Sequence, residues 1–289
     1  FPHDMEAIMQ TIQTINELKQ IIELNKDKTI GFVPTMGYLH EGHLALLTKA
    51  RIDNDIVVAS IFVNPAQFGP NEDLDRYPRD IESDTQLATD AGVDVLFVPS
   101  AKEMYPFESG ISIGVGNLST KLCGESRPGH FDGVLKVITK LFNLVQPTKA
   151  YFGQKDAQQL AIIETFVNAY NFPVEIVRVQ TVRELDGLAK SSRNVFLSEQ
   201  ERLEAVHLYK ALQLATETWE KTNDLPAAIA KGKEHIESNT SGKIDYLEAL
   251  SYPTLQSVTD DTKEVLFATA VFFEKARLID NILKEKKDV

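Results

Sequence analysis

His40 and His43 stand three residues apart in the run His40-Glu41-Gly42-His43, between a glycine-containing turn and the start of a helix. Imidazoles at that spacing share one face of a helical turn and can donate hydrogen bonds to phosphate oxygens. The open N–H groups and the dipole of a helix N-terminus favour a phosphate at the same place. Gly42 lets a ligand approach the backbone closely. Read alone, the run also fits a first helical turn carrying surface histidines. A zinc-protease site is disfavoured, because it needs histidines four apart with two residues after the Glu.

Three further groups complete a candidate set. Gly153-Gln154-Lys155-Asp156 follows a short apolar run, and Lys155 suits phosphate as a mobile point charge. Asp156 could hold a ribose hydroxyl or support a metal. Lys190-Ser191-Ser192-Arg193 offers two cations and two hydroxyls just after Gly187. A mobile loop of that kind can close over a triphosphate and stabilise transition-state charge. Gln67 and Gln159 are neutral bidentate hydrogen-bonders, better suited to a hydroxylated, carboxylated small molecule than to a bare phosphate. Taken singly, each group also reads as an ordinary surface feature. No Walker A run or Gly-x-Ser-x-Gly elbow is present, and Gly114-Val115-Gly116 lacks the third glycine of a dinucleotide fingerprint.

The elements that must hold these groups follow from periodicity. Ile8, Ile12, Ile15, Leu18 and Ile22 predict an amphipathic helix over Ala7–Leu24. Thr29–Pro34 and the β-branched run Asp55–Val63 read as strands, the second buried on both faces. Further strands are expected at Val93–Val98, Ala150–Phe152 and Val174–Val179. Helices are expected at Leu44–Arg51, Asp80–Ala91, Val134–Val145 and Ala157–Tyr170. Alternation of this kind means a parallel sheet with helical crossovers, a doubly wound, Rossmann-like α/β fold. Its ligands belong outside the carboxyl ends of the strands, where all the groups above fall. From about Arg183 the pattern changes. Ser198 and Glu201 form a capping box ahead of a long helix to about Thr222. A helix near Pro226–Asn239, weakened by Gly232, and strands at Lys243–Leu250 and Glu264–Phe273 follow. The expectation is a doubly wound domain over 1–182 and a smaller α+β domain over 183–289.

Composition narrows the class. The 289 residues carry a formal net charge of −12, with 43% hydrophobic and 25% charged residues, an ordinary globular profile. The only basic run is Lys284-Glu285-Lys286-Lys287, so no nucleic-acid partner is expected. Cys123 is the only cysteine, which rules out an intramolecular disulfide. No apolar run reaches the ~18 residues of a membrane span, and no signal-peptide pattern opens the chain. A cytoplasmic location is expected. Phe1-Pro2-His3-Asp4, ahead of Met5, is assigned no function.

Taken together, the motifs have a family counterpart. Pro34-Thr35-Met36-Gly37-Tyr38-Leu39-His40-Glu41-Gly42-His43-Leu44 closely resembles the signature of the pantothenate synthetase (pantoate–β-alanine ligase) family, within the wider nucleotidylyltransferase-like superfamily. The resemblance continues through Phe62-Val63-Asn64-Pro65 with Gln67-Phe68-Gly69, Tyr77-Pro78-Arg79, and Arg127-Pro128-Gly129-His130-Phe131. It runs on through Phe152-Gly153-Gln154-Lys155-Asp156, Asp186-Gly187-Leu188-Ala189 with Ser191-Ser192-Arg193-Asn194, and Arg277-Leu278-Ile279-Asp280-Asn281. It covers nearly the whole chain, with the blocks in the family's order.

The resemblance implies an AMP-forming ligase that makes a C–N bond. Pantoate's carboxylate would attack the α-phosphate of ATP, and the amine of β-alanine would then attack the pantoyl adenylate. Mg2+ bridging phosphate oxygens is implied. By position, His40 and His43 would bind the phosphates, with His43 at the place of the proton donor. Met36, Gly37, Tyr38, Leu39, Glu41 and Gly42 would line the ATP site. Gly153, Gln154, Lys155 and Asp156 would contact ATP, and Val182 would contact adenine through its backbone. Lys190, Ser191, Ser192 and Arg193 would form the phosphate loop. Gln67 and Gln159 would bind pantoate, Gln67 also lying near β-alanine, with Asn64 and Tyr77 as further lining. No metal ligand is placed, and Asp84 is left unassigned. The family is usually dimeric, which implies a homodimer. Two positions depart from the usual pattern: Lys190, where many members carry Met, and Gln154, where Glu is frequent. The competing readings are a nucleotidylyltransferase of the same superfamily and a non-catalytic nucleotide sensor.

Overall fold

Continuous apolar runs make the central strands, because a strand covered on both faces has no polar side to alternate with. The computed structural model describes residues 8–286. In chain order the strands and helices are β1 Gln10–Ile12, α1 Ile15–Leu24, β2 Ile30–Thr35, α2 Glu41–Asp53, β3 Ile56–Ile61 and α3 Ile81–Asp90. Then come β4 Val95–Phe97, the short helices α4 Ala101–Met104 and α5 Cys123–Ser126, α6 His130–Val145, β5 Lys149–Gly153, α7 Ala157–Ala169 and β6 Glu175–Val179. The chain closes with α8 Glu199–Glu204, α9 Val206–Thr222, α10 Leu225–Asn239, β7 Lys243–Tyr252, β8 Glu264–Phe272 and β9 Arg277–Glu285.

The chain divides into two compact units that interleave in sequence. One holds the described residues of Phe1–Gly114 with Asp132–Gly153 and Val167–Val179. The other holds Val115–Phe131, Gln154–Phe166 and the described residues from Gln180 onward.

The first unit contains a six-stranded parallel sheet in the order β1-β4-β3-β2-β5-β6. Phe32 lies between Val58 on one side and Ala150 on the other. All three side chains are fully buried, at 0% exposure. The chain moves outward from β2 to β3 and β4, then returns to the other side of β2 for β5 and β6. The direction of winding therefore reverses between β2 and β5, and a ligand crevice is expected outside their carboxyl ends.

In the second unit β7, β8 and β9 form an antiparallel sheet in that order. Trp219 of α9 packs on Phe267 of β8, ring centroids 5.5 Å apart. Gly232, a weak helix former, has a packing reason. A Cβ there would come within 3.0 Å of Leu247 Cδ1 and 3.2 Å of the Ala211 carbonyl.

The α/β expectation holds, and the departures are local. The apolar period that predicts one helix over Ala7–Leu24 spans β1 and α1. Thr14 and Glu17 form a capping box that starts the helix at Ile15. Ala7 itself, like Phe1–Asp4 and Lys287, lies outside the described residues. Helix α2 begins at Glu41 rather than Leu44, and α6 at His130 rather than Val134. The long helix after Ser198 is two helices that meet at Ala205. Strand β9 is not foreseen from the sequence, because it buries the polar residues Asp280 and Asn281 as well as Leu278. Among the described residues, no helix is long and apolar enough to cross a membrane.

Candidate active site

The loop after β2 is bent by two consecutive residues with positive φ, Gly37 at 82° and Tyr38 at 52°. Such a turn must be held in place, and Asp84 of α3 holds it. The Tyr38 and Leu39 N–H groups donate to Asp84 Oδ2 and Oδ1 at 2.8 and 2.7 Å. Asp84 is 2% exposed. Burial raises its pKa above the ordinary Asp value, against the opposing pull of the Leu39 and Tyr38 N–H groups. Gly37 has no room for a side chain: a Cβ would lie 2.9 Å from Ile61 Cγ2 and 3.0 Å from Asp84 Oδ2. Thr35 Oγ1 accepts the Gly37 N–H at 3.1 Å, which secures the start of the turn.

The turn delivers His40 to the N-cap of α2. His40 Nδ1 accepts the Gly42 N–H at 3.0 Å, and His43 Nδ1 accepts the His40 N–H at 3.2 Å. The two rings lie 4.2 Å apart. Gly42 is required by the cap itself, since a Cβ would meet His40 Cε1 at 2.7 Å. An Nδ1 that accepts cannot carry the proton, so each neutral ring is the Nε2–H tautomer. Both imidazoles therefore present a ring N–H on the edge opposite the backbone. Two such donors beside a helix N-terminus are the kind of groups an oxyanion would need.

The loop after β3 places the glutamine. Asn64 is 1% exposed and caps the short 3-10 turn Pro65–Gln67. Its Nδ2 donates to Gln67 Oε1 and to the Gly133 carbonyl, both at 3.0 Å. Its Oδ1 accepts from the Ala66 N–H at 3.2 Å and from the Tyr105 hydroxyl at 2.8 Å. All four hydrogen-bonding positions of this amide are used internally, one of them fixing Gln67 Oε1. Gln67 Nε2 lies 3.4 Å from Met36 Sδ, which brings the β2 and β3 loops together. Gly133 permits this: a Cβ there would run into the Ala66 carbonyl. Tyr77 is buried with its ring 6.0 Å from Phe68. Burial pushes the Tyr105 hydroxyl up to about 12, so it stays protonated and able to donate.

Gly153 ends β5, and the chain continues into a 3-10 turn at Gln154–Asp156 in the second unit. Asn281 Nδ2 donates to the carbonyls of both Gln154 and Lys155 at 2.9 Å. Lys155 Nζ lies 3.9 Å from an Asp156 carboxylate oxygen, with side-chain exposures of 20% and 52%. Gln159 sits half-buried on the first turn of α7. The neighbouring Gln158 is buried and tied to the Leu118 and Lys121 carbonyls at 2.9 and 2.8 Å, a structural role.

Val182 and Lys190 close a hairpin-like loop in the same unit. The Val182 carbonyl accepts the Lys190 N–H at 3.0 Å, and Arg183 bridges Ala189. Gly187 turns the loop at φ 97°. Lys190 Nζ pairs with Glu184 Oε2 at 2.8 Å, which accounts for the extra cation at this position. Ser191 Oγ accepts the Arg193 N–H at 3.3 Å and starts the 3-10 turn Ser192–Phe196, with Ser192 buried.

Two residues that hydrogen-bond the backbone of these segments, Asp84 and Asn281, escape sequence reasoning. Each serves the backbone of a segment distant in sequence, and neither has a local spacing that would announce it. Among the described residues no three His, Cys, Asp or Glu side chains gather as a metal cage. Both Asp84 oxygens face N–H donors rather than a cation site.

Comparison with known proteins adds an independent line. A family model described as pantoate-beta-alanine ligase matches residues 10–283. The chain is 57% identical over 282 residues to the pantothenate synthetase of Lysinibacillus sphaericus (strain C3-41), covering 97% of this chain and 99% of that protein. A crystal structure of pantothenate synthetase from Thermus thermophilus superposes with a TM-score of 0.90 at 47% identity, covering 95% of this chain and 99% of that one. The pantoate-beta-alanine ligase of Francisella tularensis, in complex with beta-gamma ATP and beta-alanine, superposes with a TM-score of 0.79 at 35% identity. That match covers 95% of this chain and 97% of that one.

Proposed function

The chain belongs to the pantoate-beta-alanine ligase family, and from that premise we propose that it condenses pantoate with β-alanine in an ATP-dependent, AMP-forming reaction. The observation that carries the reading is the pair of imidazoles at the β2–α2 junction, both held as Nε2–H donors by their own backbone.

A carboxylate is a poor acylating agent, so it must first be joined to a good leaving group. Pantoate's carboxylate oxygen attacks the α-phosphorus of ATP. The bond to the bridging oxygen breaks, and pyrophosphate departs with that electron pair. The amine of β-alanine then attacks the acyl carbon of pantoyl adenylate, AMP leaves, and the nitrogen loses its proton to form the amide. Phosphoryl transfer of this kind depends mainly on positioning and on charge stabilisation.

Each residue group has a task in that scheme. His40 and His43 donate from Nε2 to phosphate oxygens as negative charge gathers there. Met36–His43 line the nucleotide, in a loop that Asp84 keeps in one conformation. Lys155 supplies a cation to the phosphates from the Gln154–Asp156 turn, and Lys190–Arg193 form a second phosphate-binding segment. Val182 contacts adenine through its backbone. Gln67, oriented by Asn64, and Gln159 bind the hydroxyl and carboxylate groups of pantoate. Mg2+ is proposed to come with the nucleotide, which suits an ion that keeps several waters and takes few protein ligands. When bound it would offset phosphate charge.

We further propose, from the family resemblance, that the chain works in the cytoplasm as a homodimer. We also propose that 1–182 and 183–289 act as the two functional segments, the second carrying the Lys190–Arg193 loop. The experiment is AMP release measured with each substrate omitted in turn. Release that requires ATP, pantoate and β-alanine together supports the reading, whereas release without pantoate refutes it.

A further inference from the structure

The Arg277–Asn281 segment of β9 has no part in the scheme above, yet its last two residues reach the backbone of the Lys155 turn and the arginine beside Val182. We propose that Asp280 and Asn281 are positioning residues that set the Lys155 turn and the Val182–Lys190 loop from a single point on the antiparallel sheet. This inference rests on the phosphate-binding reading of Lys155 and Lys190–Arg193.

Both residues are almost fully buried, at 4% and 3% exposure. Asn281 spends both protons of one amide on consecutive carbonyls, those of Gln154 and Lys155, each at 2.9 Å. Its Oδ1 has no hydrogen-bond partner among the described residues. The amide is therefore oriented entirely by the two carbonyls, since a flip would set oxygen against oxygen. The Asn281 N–H in turn donates to Asp280 Oδ1 at 2.8 Å.

Asp280 carries the link to the loop. Arg183 grips it fork to fork, Nη1 to Oδ2 at 2.6 Å and Nη2 to Oδ1 at 2.9 Å. The same guanidinium donates to the Gly187 carbonyl at 3.1 Å and lies 3.6 Å over the Tyr209 ring. Gly187 itself packs against that ring, with room for no side chain: a Cβ would lie 3.0 Å from Tyr209 Cδ1. One carboxylate thus fixes the strand residue that holds the Lys155 turn and the arginine that holds the loop apex.

A buried ion pair of this kind is a poor source of net stability, because desolvation offsets much of the attraction. What bidentate geometry supplies is direction. The network holds backbone at the Lys155 turn and at the apex of the loop that leads on to Lys190. Small misplacements of such groups cost catalysis heavily.

The test is a double-mutant cycle between Asn281→Ala and Lys155→Ala, with KM for ATP, KM for pantoate, kcat and thermal stability measured for each. The expected result is a folded Asn281→Ala protein with kcat/KM for ATP lowered about 10- to 100-fold. KM for pantoate should change less than about 2-fold, and the double variant should be no worse than Lys155→Ala. Additive losses, or a folded Asn281→Ala protein with normal ATP kinetics beside an impaired Lys155→Ala protein, would overturn the positioning role. A Lys155→Ala protein with normal kinetics would overturn the underlying assignment of Lys155 instead, and the inference with it. If Asn281→Ala does not fold, Asn281→Ser takes its place in the cycle, keeping one donor. Failure of both to fold would assign the pair to stability alone and also overturn the inference.

Discussion

His43 Nδ1 accepts the backbone N–H of His40, so one ring nitrogen closes the capping box of α2 and the other, Nε2, is the one proposed to meet phosphate. Cap and chemistry use different ring nitrogens and can be separated. His43→Asn keeps an acceptor near the Nδ1 position and removes the Nε2 donor. It is expected to retain most of the stability, losing no more than about 1 kcal/mol. Adenylation should fall ~100-fold or more, as for a lost oxyanion donor. Denaturant melts and single-turnover adenylation measured on the same preparation check this.

Asp84 offers a second separation. Asp84→Asn keeps one acceptor and turns an NH2 toward the N–H of either Tyr38 or Leu39. The loop should lose its fixed conformation, and kcat should fall at least ~10-fold, since a misplaced donor is ineffective. The pKa of this buried carboxyl is raised, so its charged form is held at a cost to folding. That cost grows as pH rises from the unfolded-state value through the folded-state value. The variant's stability should accordingly fall less than a doubly hydrogen-bonded carboxylate would suggest. Chemical denaturation below the ordinary Asp value of 3.8 and at pH 8 gives the comparison.

The parallel sheet with its helical crossovers, and the run proposed to meet phosphate, could be picked out because each has a local pattern. Asp55–Val63 is apolar almost throughout, and the His40–His43 run carries its own spacing. The supports were not legible. Asp84 reaches back across 46 positions to Tyr38, and Asn281 across 126 to Lys155. Their work is done by side-chain bonds to a remote backbone, and no period or motif records such a bond. Strand β9 was hidden for the same reason, since the polar residues it buries break the apolar alternation that identifies a strand.

Asn64 should behave as a support too. Asn64→Ala strands the Tyr105 hydroxyl and the Ala66 N–H in a part-buried region. Each unpaired group costs about 1–3 kcal/mol when no water reaches it. Stability should drop and KM for pantoate should rise. Gln67→Ala, by contrast, should raise KM for pantoate with a smaller stability loss. The two variants compared by thermal melts and pantoate titration distinguish orientation from contact.

His207 of α9 and His235 of α10 lie 3.0 Å apart, Nδ1 to Nε2. Both have pKa values below the ordinary histidine value. Burial is the first cause in each case, followed by Lys210; His235 adds to the effect on His207, and Glu204 opposes it there. The unfolded chain therefore takes up protons at higher pH than the folded one. Stability contributed by this pair is present above the unfolded-state value of about 6.5 and is lost as pH falls through the folded-state values. His235→Gln should flatten the pH dependence of Tm below about pH 7 while leaving kcat at pH 8 unchanged. Calorimetry across pH 5–8 measures it.

The central claim is that pantoate's carboxylate is activated on ATP before β-alanine takes part. Exchange of labelled pyrophosphate into ATP, measured without β-alanine, addresses it most directly. The account predicts exchange that requires pantoate and falls ~100-fold or more in His43→Asn. ATP turnover indifferent to pantoate, or exchange undiminished in a folded His43→Asn protein, would contradict it.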